Sequence, residues 1–180
     1  ADYLSKRPLS PLLEELCTHG ADIAFSGSFP LTVSGGLTPG SYTLPGNISS
    51  QYISGLLLAL PLLSGNSEIH ITGTRESVSY IGLTLAMQRT FGICITETAY
   101  GYFIPGNQCY TSPGKLTIEA DWSSAAFWLA SGAIGTTAPI LTGLSTESAQ
   151  GDRAVLQILE SFGANILQTD TGITIQKPTK

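Results

Sequence analysis

The stretch Pro45-Gly46-Asn47-Ile48-Ser49-Ser50-Gln51-Tyr52-Ile53-Ser54-Gly55-Leu56-Leu57-Leu58-Ala59-Leu60-Pro61-Leu62-Leu63 decides how the rest of the chain is read. Pro45 and Gly46 end whatever strand precedes them. Asn47, Ser49 and Ser50 are N-cap candidates, and from Tyr52 onward the run is too apolar to face water on any side. A buried helix is expected, with hydroxyls where the first backbone N–H groups have no intrahelical partner. The positive end of the helix dipole points to the same place, which makes such an end an anion site in waiting. The apolar run over residues 52–63 carries Pro61 inside it and is well short of the roughly 20 residues that cross a bilayer. It reads as a core helix.

Outward from this helix, the chain alternates helical and extended patterns. Residues 8–19 read as a helix, with Pro8 in its first turn and Leu12, Leu13 and Leu16 at helical spacing. Short strands are expected around Ile23, over 31–33, over 41–44 and over 68–72, where Ile69 and Ile71 alternate with His70 and Thr72. Ser77 opens a third helix that closes at Gly92. Strands near 93–96, 101–104 and 115–119 follow, then a helix from Asp121 to about Ala133, a strand over 139–141, a helix over about 148–162 and two last strands.

This order repeats. Thr18-His19-Gly20, Thr90-Phe91-Gly92 and Ser161-Phe162-Gly163 each end a helix and lead into an Ala/Ile-rich strand, and the three are almost evenly spaced along the chain. Ser49-Ser50 returns as Ser123-Ser124, and Ile71-Thr72-Gly73 as Leu141-Thr142-Gly143, both at close to the same interval. Each repeat holds two helices and about four strands, larger than a solenoid repeat. The fold class is therefore α/β, built from repeated units.

Composition narrows the function. The 180 residues, 42% of them hydrophobic, suffice for a sizeable core. With 8 basic and 13 acidic residues the net charge is −5, which argues against nucleic-acid or anionic-membrane binding, since both need clustered positive charge. Cys17, Cys94 and Cys109 are widely spaced and lack a Cys-x-x-Cys pair, so buried thiols in a reducing cytoplasm are expected, with neither a disulfide framework nor a zinc site. No phosphate-loop lysine motif and no Gly-x-Gly-x-x-Gly occur. The chain opens Ala1-Asp2-Tyr3-Leu4, with no initiating Met and no signal peptide, as if in the middle of something.

Several side chains stand out as candidates for ligand binding. Ser49, Ser50 and Gln51 either cap a helix or hold a phosphorylated ligand. A capping-box glutamine sits three residues past the cap, so Gln51 would serve Ile48, which has no side-chain acceptor; its amide is left to face a ligand. Arg7 is either a solvated charge or a partner for a carboxylate or phosphate, because an arginine at a helix N-terminus opposes the dipole. Ser77 and Tyr80 read either as an N-cap with a half-buried tyrosine or as a ligand pair. In the second repeat Asp121 precedes Ser123 and Ala125 stands where Gln51 would, which makes a poor anion site. His19 and His70 have no companions at a suggestive spacing and read as ordinary residues.

The run Ser49-Ser50-Gln51-Tyr52-Ile53-Ser54-Gly55-Leu56-Leu57 resembles the 5-enolpyruvylshikimate-3-phosphate synthase family. Arg7-Pro8-Leu9 with Gly20-Ala21, Gly73 with Ser77 and Tyr80-Ile81, Glu119-Ala120-Asp121-Trp122-Ser123-Ser124-Ala125, and Gln150-Gly151-Asp152 extend the resemblance over essentially the whole chain. It departs from the family pattern at Val78, Ser79 and Gly82. The resemblance implies repeated βαβαββ units of the enolpyruvyl transferase, or inside-out α/β barrel, fold, in two globes. Residues 1–119 would belong to the first globe and 120–180 would begin the second. It implies transfer of the enolpyruvyl group of phosphoenolpyruvate to shikimate 3-phosphate, with no metal or organic cofactor. Ser49, Ser50 and Ser77 would hold the shikimate phosphate, Gln51 would lie between the substrates, Tyr80 would contact the shikimate and Arg7 would reach phosphoenolpyruvate. The family's N-terminal lysine and the charged sites of its C-terminal part have no counterpart, so a central fragment is expected, inactive alone, completed by missing parts of the parent enzyme and prone to self-association through exposed apolar surface. A non-catalytic module of the same descent and a UDP-sugar enolpyruvyl transferase are the alternatives.

Overall fold

The computed structural model describes residues 8–170 and 172–176. By its own packing the chain divides into two units, Ala1–Pro113 and Gly114–Lys180.

In the first unit, α1 (Leu12–Thr18) leads through Gly20 into the antiparallel hairpin β1 (Ala21–Ala24) and β2 (Thr32–Gly35). The helix starts later than residues 8–19 suggest. Pro11 is the N-cap and offers only its carbonyl, which accepts from Glu15 N–H at 3.1 Å. A complete unit follows: β3 (Ser41–Pro45), α2 (Ser50–Ala59), β4 (Ser67–Thr72), α3 (Val78–Thr90), β5 (Thr96–Thr98) and β6 (Gly101–Ile104). Its sheet runs β3-β4-β6-β5, with β3 and β4 parallel from Ser41↔Glu68 to Pro45↔Thr72 and the other pairs antiparallel. Alternation puts Tyr42 and Leu44 of β3 and Ile69 and Ile71 of β4 on one face, where they pack on Ile53, Leu56 and Leu57 of α2, Ile81 of α3, and Tyr102 and Ile104 of β6. Each such aliphatic side chain contributes about 1.5–3 kcal/mol over its exposed state. Tyr42 donates to Thr38 C=O at 2.7 Å. Burial, with the Glu15 carboxylate adding to it, pushes its phenol up to about 12. His19 stacks on Tyr42 with ring centroids 3.7 Å apart, a packing role that needs no ligand.

The α2 helix is less enclosed than its composition suggests: Leu58, and Leu62 in the 3₁₀ turn Leu60–Leu62, are half exposed. Pro61 has a structural consequence. It supplies no N–H for Leu57 C=O, and the buried Gln88 amide takes that place, donating at 2.6 Å, while Tyr110 O–H donates to Leu58 C=O at 2.8 Å. Residues 93–95 do not form a strand. The Gln108 side chain occupies the Cys94 backbone instead, accepting from its N–H at 2.7 Å and donating to its C=O at 3.0 Å.

The second unit repeats the order with α4 (Trp122–Ile134), β7 (Ile140–Leu141), α5 (Val155–Ser161), β8 (Asn165–Thr169) and β9 (Gly172–Gln176), in a sheet of order β7-β9-β8. Trp122 and Leu129 of α4 pack on Ile173 and Ile175 of β9. The strand expected over residues 115–119 is absent, and among the described residues no strand pairs with it. Alternation in a sequence marks a surface that suits a sheet, but a strand exists only with a partner; here Leu116 and Ile118 stay 40% and 72% exposed. The helix expected over 148–162 begins as a 3₁₀ turn, Gly151–Ala154, and is α-helical only from Val155. Ser148 and Gln150 are engaged elsewhere: Ser148 Oγ donates to Glu119 at 2.7 Å, and Gln150 Oε1 accepts from Trp122 N–H at 2.8 Å.

The glycine-marked helix ends recur as expected. Gly20, Gly92 and Gly163 have φ of 99°, 82° and 85°, the left-handed conformation in which a side chain would be strained. Each turns a helix into an antiparallel hairpin. All three cysteines are free and exposed, contrary to the expectation of buried thiols. Among the described residues no helix is long and apolar enough to cross a membrane, and no cluster of three or more His, Cys, Asp or Glu could hold a metal ion.

Candidate functional site

Because β3 and β4 are parallel, α2 and α3 both start at the carboxyl edge of the same strand pair. That edge is where open α/β sheets place their ligands. Gly46 holds the two helix starts together. Its N–H donates to Thr72 C=O and its C=O accepts from Glu76 N–H, each at 2.9 Å. A Cβ on Gly46 would lie 2.7 Å from Thr74 O, 2.9 Å from Ile71 Cγ2 and 3.0 Å from Arg75 Cα, so only glycine lets the second loop pass this close.

Between the helix starts lies an open cleft of ≈ 890 Å³, whose lining includes Ser49, Ser50, Gln51, Ser77 and Tyr80. Five of the six candidate residues are thus together. The sixth, Arg7, lies outside the described residues; Pro8, next in sequence, lines the cleft and its carbonyl accepts from Tyr52 O–H.

Ser49 is the N-cap of α2. Its backbone is extended and its Oγ accepts from Gln51 N–H at 3.3 Å, which leaves the hydroxyl proton for a ligand. With the cap at Ser49, the capping-box position falls on Tyr52 rather than Gln51, so the Gln51 amide has no duty in the helix end. Ser77 departs from expectation. It precedes α3 but makes no side-chain cap, and its backbone is left-handed, φ 53° and ψ 40°. Such a conformation in a serine costs on the order of 1 kcal/mol and is held by the surrounding loop. Ser50 Oγ, the Gln51 side-chain amide, Ser77 Oγ and the Tyr80 phenol take no hydrogen-bond partner among the described residues, and all line the cleft. Among the described residues no Lys or Arg lines it. Arg75, beside it in sequence, is committed to Glu97 at 3.0 Å and lies over the Tyr102 ring.

The start of α4 shows the contrast. Asp121 itself is the N-cap, with its carboxylate accepting from Ser123 N–H at 3.1 Å and from Ser124 N–H at 3.0 Å. The Ser124 hydroxyl, then the backbone N–H groups, hold the Asp121 carboxyl below its usual range. Cap to cap, Ser49 matches Asp121 at the same interval that separates Gly20 from Gly92. The Ser-Ser echo runs past that interval and is therefore out of register: Ser123 and Ser124 sit inside the first turn, and the anion place is filled by the chain's own carboxylate.

Ser54 and Thr84, to which the sequence assigns no role, also line the cleft. Their signal is the four-residue spacing from Ser50 and from Tyr80, one helical turn on the same face.

The family model for EPSP synthase (3-phosphoshikimate 1-carboxyvinyltransferase) matches residues 1–180. The chain belongs to the EPSP synthase family. Among relatives in that family, a 3-phosphoshikimate 1-carboxyvinyltransferase of Idiomarina loihiensis is 38% identical over 176 residues, covering 96% of this chain and 41% of the relative. One from Clostridium kluyveri is 44% identical over 156 residues, covering 86% and 36%. The EPSP synthase of Acinetobacter baumannii superposes with a TM-score of 0.73 at 24% identity, over 99% of this chain and 41% of that one. The enolpyruvyl transferase NikO of Streptomyces tendae gives 0.66 at 19% identity, a likeness of fold. The chain thus spans about 36–41% of the length of these EPSP synthases.

Proposed function

We propose that this chain supplies the shikimate 3-phosphate half of an enolpyruvyl transferase site. The reaction moves the enolpyruvyl group of phosphoenolpyruvate to the 5-hydroxyl of shikimate 3-phosphate and releases phosphate. The observation that carries this reading is the convergence on one cleft of two helix starts and five polar side chains with hydrogen-bonding capacity to spare.

The physical roles follow from the donors. The hydroxyls of Ser49, Ser50 and Ser77 each give a charge-assisted hydrogen bond to a phosphate oxygen, about 1.5–3 kcal/mol apiece. The two helix ends add about 0.3–1 kcal/mol each, so direct bonds dominate. Gln51, with both a donor and an acceptor, orients groups between the two substrates, and Tyr80 presents its phenol to the shikimate ring. Arg7 is assigned to phosphoenolpyruvate. Neutral donors suit one phosphate but do not neutralise two polyanionic substrates, so the remaining cations and the acid and base come from other parts of the enzyme. Residues up to about 119 fall to the first globe and the rest to the second, in the cytoplasm.

The test compares two double variants of the full-length enzyme by titration calorimetry with shikimate 3-phosphate. Ser49→Ala with Ser50→Ala is expected to weaken binding on the order of 100-fold or more, from the loss of two such bonds. Ser123→Ala with Ser124→Ala is expected to leave it unchanged. Equal effects would reduce the first site to a helix cap. This chain by itself is expected to show no turnover in a phosphate-release assay.

A further inference from the structure

Below the residues assigned to the substrate, the two helices are joined by a hydroxyl pair. Thr84 Oγ1 lies 3.0 Å from Ser54 Oγ and 3.1 Å from Tyr80 C=O. Ser54 is one turn beyond Ser50 on α2, and Thr84 one turn beyond Tyr80 on α3, so the two pairs form facing ladders along the same cleft. The upper rungs, Ser50 and Tyr80, are open; the lower rungs touch. The cleft is therefore a wedge closed by Ser54 and Thr84, and the spacing at its closed end sets the spacing at its mouth.

The proton count makes the pair directional. Thr84 has one hydroxyl proton and two acceptors in reach. When it donates to Tyr80 C=O, which can only accept, Ser54 must donate to Thr84 and has no proton left for the cleft. When Thr84 donates to Ser54, the Ser54 proton is released into the cleft. A phosphate offers only acceptors and favours the second arrangement. We propose that Ser54 and Thr84 are a positioning pair for the phosphorylated substrate: they fix α2 against α3 and turn the Ser54 proton toward the ligand when the cleft is filled. This rests on the reading of the cleft as a shikimate 3-phosphate site.

The test uses the full-length enzyme and titrates shikimate 3-phosphate and unphosphorylated shikimate in parallel. Ser54→Ala removes the proton that the pair turns toward the ligand and is expected to weaken shikimate 3-phosphate binding about five-fold, the effect of one hydrogen bond, while shikimate binding stays nearly constant. Ser54→Thr, which keeps the hydroxyl, is expected to keep the phosphate preference. Thr84→Val removes the acceptor that competes for the Ser54 proton and loosens α2 against α3, so it is expected to leave the phosphate preference in place and to move both ligands alike. Unchanged binding in Ser54→Ala, or equal losses for both ligands in that variant, overturns the positioning role; if Ser49→Ala with Ser50→Ala still loses binding, the proposed function survives. A wild-type enzyme that fails to bind shikimate 3-phosphate overturns both.

Discussion

Ser49 and Asp121 hold the same position at the start of equivalent helices, and the difference between a hydroxyl and a carboxylate decides what each helix end does. Ser49 satisfies one N–H and keeps a proton to give, whereas Asp121 satisfies two N–H groups and fills the positive end with its own charge. The depressed Asp121 pKa fixes the sign of the pH effect. A carboxylate bound more tightly in the folded state stabilises it above the unfolded pKa, and that contribution fades as pH falls through the folded one. Asp121→Ala is therefore expected to lower the melting temperature at pH 7 and to cost less at acid pH, the more so the further the wild-type carboxyl has taken up its proton. Calorimetric melts at pH 7 and at acid pH check this; a loss that is the same at both would mean that packing rather than charge holds the α4 start.

At the scale of elements, the repeat was readable because its marks are local. A helix that must turn into a hairpin needs a left-handed residue, so Gly20, Gly92 and Gly163 betray the period wherever the rest of the sequence has drifted. The candidate cleft was readable for a similar reason, since hydroxyls at two helix starts are visible in the sequence. What sequence could not give is whatever depends on a partner. Residues 115–119 alternate like a strand and have none beside them, and the link between Ser54 and Thr84 exists only because α2 and α3 pack. The Ser-Ser echo misled because identical letters out of register still look like a repeat. Glycines that serve packing differ from those that do not, which is testable. Gly46→Ala forces its Cβ against the Thr74 to Arg75 backbone and is expected to cost about 1–3 kcal/mol and to loosen shikimate 3-phosphate binding by moving the α3 start. Gly55→Ala, in α2 with nothing within 4 Å, is expected to gain up to about 1 kcal/mol by helix propensity. Urea denaturation of both variants decides; equal effects would remove Gly46 from the architecture of the site.

At the scale of the whole molecule, each unit has its own core but the second leaves much apolar surface in water. Phe127 and Ile134 of α4 are 80% and 81% exposed, two turns apart on one face of a helix that contains no charged residue. Phe162 and Ile158 add to the exposed apolar surface of the same unit. Surface of this kind draws protein contacts, and without charge nothing on α4 opposes a second copy. The chain is therefore expected to associate with itself, seen as a sedimentation coefficient that rises with concentration. Phe127→Ser with Ile134→Ser is expected to abolish that rise with little change in stability, since neither side chain is buried. Leu129→Ala, from the opposite, fully buried face of the same helix, is expected to cost about 2–5 kcal/mol and to worsen association through unfolding. A chain that stays monomeric at high concentration, or a double variant that associates as before, would show that the α4 face is not the adhesive one.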